Sequence, residues 1–154
     1  MTEANDTQLD RRHHYKWFLR LTTRWMDNDV YGHVNNVHYY SYFDSTINQY
    51  LIDQGGLDIH RGECIAYIVR SECDYLSAIA YPQEIDVGLS IVKLGNSSVR
   101  YALAIFEQEK DAASAVGSVT HVFVDRKTER PVAIPEKIRN SLEAIRCEAS
   151  SKDS

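Results

Sequence analysis

At 154 residues and 44% apolar content, the chain is the size of one domain with enough apolar side chain for a core of its own. A formal net charge of -5 and a pI near 5.6 exclude a protein built to grip nucleic acid, because phosphate backbones demand a broad basic face. No apolar run approaches the roughly 20 residues of a membrane span, so no membrane partner is expected either.

The cysteines, Cys64, Cys73 and Cys147, are odd in number and lack CxxC spacing, and no charged-then-apolar leader opens the chain. Together these predict a cytoplasmic protein with free, buried thiols.

The opening stretch, MTEANDTQLDRRHH, is polar and aperiodic, as is the closing EASSKDS. They predict flexible tails at residues 1–14 and 148–154 around a single domain, residues 15–147. His13 and His14 fall in the first tail. From Tyr15 the pattern has a period of two: Trp17, Leu19, Leu21, Thr23 and Trp25 point one way, while Phe18, Arg20, Thr22 and Arg24 point the other, predicting a first strand.

Next, Tyr39, Phe43, Ile47 and Leu51 recur every four residues and run into Gly55-Gly56. This predicts a helix from about Asn36 to Gln54, roughly 28 Å long at 1.5 Å per residue. Strands are predicted at CIAYIVRSECDYL, QEIDVGLSIVKL, SVRYALAIFEQ and ASAVGSVTHVFVD. In the second of these, Ile85, Val87, Leu89 and Ile91 alternate with Glu84, Asp86, Gly88 and Ser90, so one face is wet or meets something polar. The short polar links GNSS and EKDA make the last three strands an antiparallel meander. A final helix starts near Pro135 and carries Ile138, Leu142 and Ile145 on one stripe. The element order gives an α+β class, one antiparallel sheet packed on the long helix.

The chemistry gathers in RWMDNDVYGHVNNVHYY, residues 24–40. DNDVYG begins like a calcium loop, but Tyr31 and His38 stand where its fifth ligand and closing glutamate belong. Zinc is weaker still, because His33 and His38 are five apart and do not share a helical face. Asp27, Asp29, Asn35 and Asn36 are all good turn and cap residues, and capping suits Asn35 best. Capping does not explain so many polar groups ahead of a helix end that already carries positive potential. Free N–H groups there can hold an oxyanion while a nearby carboxylate attacks a carbonyl or activates water. A thiolate, with a thiol pKa of about 8.5, leaves without a strong general acid, so one carboxylate and one oxyanion hole suit a thioester.

The string R-W-x-D-x-D-x-x-G-H-V-N-N-x-x-Y, Arg24 through Tyr39, resembles the active-site turn of hotdog-fold thioesterases of the 4-hydroxybenzoyl-CoA thioesterase family. Its HVNN part also resembles bacterial long-chain acyl-CoA and plant acyl carrier protein thioesterases. The resemblance runs from about Tyr15 to Asp125 and implies a hotdog fold, an antiparallel β-sheet wrapped around a long central α-helix.

Carried over by position, the resemblance assigns Asp29 as nucleophile or general base, Asp27 as a turn residue and the main-chain N–H of Asn36 as the oxyanion donor. His33 matches the histidine of the HVNN relatives, with a positional or proton-relay role standing beside a structural one. Tyr31 replaces a functional asparagine of the plant enzymes. Tyr39 falls by the acyl pocket, a place that core packing explains equally well. Lys93, Ser97, Ser98, Arg126 and Lys127, with Arg130, are candidates for the phosphates and pantetheine of coenzyme A.

The resemblance therefore implies an acyl-CoA thioesterase with no cofactor beyond the coenzyme A of its substrate. It also implies a homodimer or homotetramer with sheets joined edge to edge and sites across the interface. The rival readings are an acyl carrier protein thioesterase and a non-catalytic acyl-CoA or lipid-binding module. Hotdog dehydratases need a histidine-centred site that this turn lacks.

Overall fold

The computed structural model describes residues 9–147; the predicted C-terminal tail, like residues 1–8, lies outside them. In chain order the elements are β1 (Trp17–Thr22), α1 (Val37–Asp53), β2 (Cys64–Tyr75), β3 (Glu84–Leu94), β4 (Ser98–Glu107), β5 (Ala115–Asp125) and α2 (Glu136–Ala144). Single 3-10 turns lie at Arg12–His14 and Trp25–Asp27.

The strands form one antiparallel sheet in the order β1-β3-β4-β5-β2. The meander expected from the short links is its centre. β1 and β2 end up on opposite edges because α1 carries the chain across the sheet between them. This is the hotdog arrangement, α+β in class.

The apolar period of each central strand faces α1. Ile85, Val87, Leu89 and Ile91 of β3, with Val99, Tyr101, Leu103 and Ile105 of β4, share one buried cluster with Phe43, Ile47 and Leu51 of α1. The helix presses close: a Cβ at Gly117 on β5 would collide with the Phe43 ring. α1 ends where left-handed Gly56 (φ 72°) turns the chain and the Leu57 N–H returns to the Leu51 carbonyl at 3.0 Å.

Two sequence expectations change. β1 stops at Thr22, whose successor Thr23 is held by the Gln83 carbonyl; Trp25 then enters a 3-10 turn and is 74% exposed, so the apolar alternation does not extend to it. Residues 9–14, expected in the flexible tail, pack on the outer face of the sheet. Arg12 donates to Asp86 at 3.0 Å and to the Glu107 carbonyl at 2.9 Å, and it stacks over Phe106, while Ser90 donates to the His14 carbonyl. That segment is what the polar period of β3 meets. It buries Asp86 and Ser90, and Tyr15 lies against Gly88 where any Cβ would clash.

Candidate active site

Residues 27–35 fold back on themselves as a tight ladder. The Asn35 N–H donates to the Asp27 carbonyl at 2.8 Å, Asn28 and Val34 form an antiparallel bridge, and the Asp29 N–H donates to the His33 carbonyl at 2.9 Å. Gly32 closes the tip with φ 83°, a left-handed conformation that favours glycine, and its N–H returns to the Asp29 carbonyl. The β2–β3 connection supports the ladder through Val34 N–H to the Ile79 carbonyl and Tyr81 N–H to Asn28 Oδ1. Asp29 thus sits opposite His33 near the tip, and Asn36 follows directly as the N-cap of α1.

The two aspartates occupy opposite environments. Asp27 is 1% exposed, and its carboxylate accepts from Tyr42 Oη at 2.7 Å, the Arg24 N–H at 3.0 Å and Arg24 Nε at 3.1 Å. Burial alone pushes its pKa up, but those hydrogen bonds outweigh burial and hold the carboxyl below the usual carboxylate value. Asp29 is half-buried and uses one oxygen, Oδ1, to accept the Tyr31 N–H at 2.9 Å. Its other oxygen has no protein partner among the described residues.

At the start of α1, the Asn35 side chain accepts the Val37 N–H at 3.1 Å, and the His38 N–H bonds the Asn35 carbonyl. Among the described residues nothing accepts from the Asn36 N–H. A free donor at a helix start and a partly free carboxylate therefore belong to one turn, and groups of these two kinds can stabilise an oxyanion and attack or activate water.

His33 is exposed, its ring without a partner among the described residues. Tyr39 is buried edge-on to Tyr75, with centroids 4.9 Å apart, and burial pushes its hydroxyl pKa up. No group of three or more His, Cys, Asp or Glu among the described residues is arranged to hold a metal ion.

The remaining predicted residues stand elsewhere in the chain. Lys93, Ser97 and Ser98 lie at the β3–β4 hairpin, and Arg126 and Lys127 follow β5. Lys93 is nine positions along β3 from Glu84, which pairs with Thr22 at the Asp29 end. At about 3.3 Å per residue that is roughly 30 Å. Arg126 is already engaged, its guanidinium donating to the Gly62 and Ile59 carbonyls at 2.6 and 2.7 Å. The same end carries a cleft of about 490 Å³, lined by Gly56, Asp58, Cys64, Asp125 and Lys137 among others.

Two partnerships were not visible in the sequence. His121 on β5 is 2% exposed with Nδ1 3.0 Å from Tyr101 Oη; burial pushes its pKa down to about 4. Register supplies this pair, since His121 lies opposite Val99 and diagonal to Tyr101. Tyr42 reads as one more pocket or core aromatic until the Asp27 carboxylate is seen at its hydroxyl. Its place 15 positions after Asp27 was the only available signal.

Comparison with known proteins places the fold. PA5185 of Pseudomonas aeruginosa strain PAO1 is 50% identical, with a TM-score of 0.89 over 90% of this chain and 97% of its own. A predicted thioesterase from Bacillus stearothermophilus is 26% identical, with a TM-score of 0.73 over 84% and 96%. SAV2348 of Staphylococcus aureus, whose structure is a complex with CoA, shares the fold at 16% identity, with a TM-score of 0.77 over 85% and 84%. The family model of the thioesterase-like superfamily matches residues 23–142, from just before the 3-10 turn at Trp25 to within α2. The chain belongs to the thioesterase-like superfamily.

Proposed function

We propose that the protein is an acyl-CoA thioesterase of the 4-hydroxybenzoyl-CoA thioesterase type. One observation carries the reading: the ladder that fixes Asp29 ends on Asn35, and the N–H of the next residue, Asn36, is left without an acceptor among the described residues at the start of α1. The thioester carbonyl oxygen accepts that N–H and gains negative charge there as the carbonyl carbon is attacked. The attacking oxygen comes from the Asp29 carboxylate, giving an anhydride that water then opens, or from a water that Asp29 deprotonates. Either way the C–S bond breaks, coenzyme A leaves as its thiolate, and the acyl group departs as a carboxylic acid. In this reading His33, whose carbonyl accepts the Asp29 N–H, relays a proton.

In this reading the acyl-CoA lies between two chains. Among the described residues β2 pairs only with β5, and it exposes Tyr67, Ile68 and Val69. Antiparallel pairing of two β2 edges brings the Cys64 end of one strand to the Tyr75 end of the other, beside Tyr39 and the Asn36 turn. In such a homodimer, Lys93, Ser97, Ser98, Arg126 and Lys127 of one chain serve the phosphates and pantetheine of a thioester bound at the partner's Asp29. Coenzyme A, rather than a carrier protein, is favoured by the CoA complex of SAV2348.

The test is thiol release from short, branched, aromatic and long acyl-CoAs. The reading expects turnover with one preferred class. Tight binding without turnover across the panel would make the protein an acyl-CoA-binding module.

A further inference from the structure

The reaction proposed above needs the Asp29 carboxylate and the Asn36 N–H at a fixed separation, yet both sit in a turn whose tip is exposed at Val30 and Tyr31. Something must lock that turn to the helix. Asp27 is the hub: its N–H donates to the Arg24 carbonyl at 2.9 Å, and its own carbonyl accepts the Asn35 N–H at 2.8 Å. Asn35 in turn caps Val37, so any displacement of Asp27 moves Asn35 and reorients the adjoining Asn36 peptide. On the other arm, Asp29 follows Asp27 by two residues.

Three side chains approach the Asp27 carboxylate. Arg24 is a local partner three residues away and 64% exposed, so it stiffens the turn without tying it to anything else. His38 Nδ1 stands 3.7 Å from Oδ1, beyond hydrogen-bond length. Tyr42 is different, because its hydroxyl crosses from the second turn of α1 to Oδ2 at 2.7 Å, an O–H donor on a buried carboxylate. Tyr42 itself is fixed. Its ring is buried against Tyr39, and its carbonyl accepts Thr46 Oγ1 at 2.8 Å.

We propose that Tyr42 is a positioning residue for catalysis: acting through Asp27, its hydroxyl sets the Asp29 carboxylate and the Asn36 N–H relative to α1. This rests on the assignment of Asp29 and Asn36 as the reacting groups. It gives Tyr42 a task that does not involve touching the substrate.

Tyr42→Phe deletes one oxygen and keeps the ring. It is expected to lower kcat by about tenfold to a hundredfold, the scale of small misplacements at a reacting centre, with KM within about twofold. The amide signals of Asp29, Asn35 and Asn36 in a 15N–1H spectrum are expected to shift or broaden. Ile47→Val removes a buried methyl group from the sheet-facing side of the same helix and is expected to lower the melting temperature without changing kcat. If Tyr42→Phe is unstable, Asp27→Asn keeps an acceptor oxygen for Tyr42 and is expected to show a smaller kcat loss of the same kind.

Wild-type kcat in Tyr42→Phe, while Asp29→Asn is inactive, overturns the positioning role and leaves the thioesterase reading intact. So does an equal kcat loss in Ile47→Val, which would reduce the effect to general destabilisation. Full activity in Asp29→Asn overturns both.

Discussion

Two carboxylates two residues apart face different fates because the ladder from 27 to 35 sends one side chain beneath α1 and leaves the other near the tip. Asp27→Ala strands the Tyr42 hydroxyl. It is predicted to cost about 1–3 kcal/mol in urea unfolding, the scale for leaving a buried hydrogen-bonding group unsatisfied, since the Arg24 side chain is exposed and can turn to water. Asp29→Asn, at a half-buried position with one backbone contact, is predicted to stay within about 0.5 kcal/mol of wild type. Both groups at Asp27 and His121 resist protonation in the folded chain, in different pH windows. Asp27, with its pKa depressed, contributes stability that is present above the ordinary carboxylate value and lost as pH falls below it. His121 is kept neutral by burial down to about pH 4, whereas an unfolded histidine protonates near 6.5. The unfolded chain therefore binds the extra proton between those values, and stability should decline by about 3 kcal/mol as pH falls from 6.5 to 4. Urea unfolding across that range, with His121→Gln flattening the decline, checks the assignment.

At the scale of elements, α1 matters because its first turn supplies the donor and its later turns hold the sheet. Gly117 permits the close approach of Phe43, so Gly117→Ala is predicted to destabilise by about 1–3 kcal/mol through overpacking, read as a lower urea midpoint with unchanged slope. The period of four from Tyr39 to Leu51 and the alternation from Ile85 to Ile91 were legible because burial on one face leaves a direct imprint on sequence. The end of β1 was not. Trp25 continues the alternation by residue type, and only the Thr23–Gln83 contacts and the Arg24–Asp27 turn stop the strand. Arg12 likewise looks like part of a polar tail until its partners Asp86 and Phe106, distant in sequence, are placed beside it. In the candidate site, turn-forming Asp27 and Asn35 were legible from local chemistry, whereas the Tyr42 hydroxyl on Asp27 depends on how the turn folds over the helix.

At the scale of the whole molecule, the order β1-β3-β4-β5-β2 leaves one edge of the 12-residue β2 unpaired among the described residues and puts Lys93 and Arg126 at the far end from Asp29. The shared site proposed above therefore predicts an oligomer. Sedimentation should give wild-type particles of two or four times the 17.7 kDa chain mass. Val69→Lys, the kind of change that blocks edge pairing, should release monomers with little thioesterase activity. A Val69→Lys monomer with full activity would remove the shared site. The central claim, that Asp29 beside the α1 N-terminus hydrolyses a thioester, is tested most directly by comparing wild type and Asp29→Asn on the preferred acyl-CoA, with binding and single-turnover rate measured on the same samples. The account predicts near-equal affinity and a rate about a hundredfold or more lower in the variant, the scale lost with a positioned acid–base group. Equal rates would contradict it.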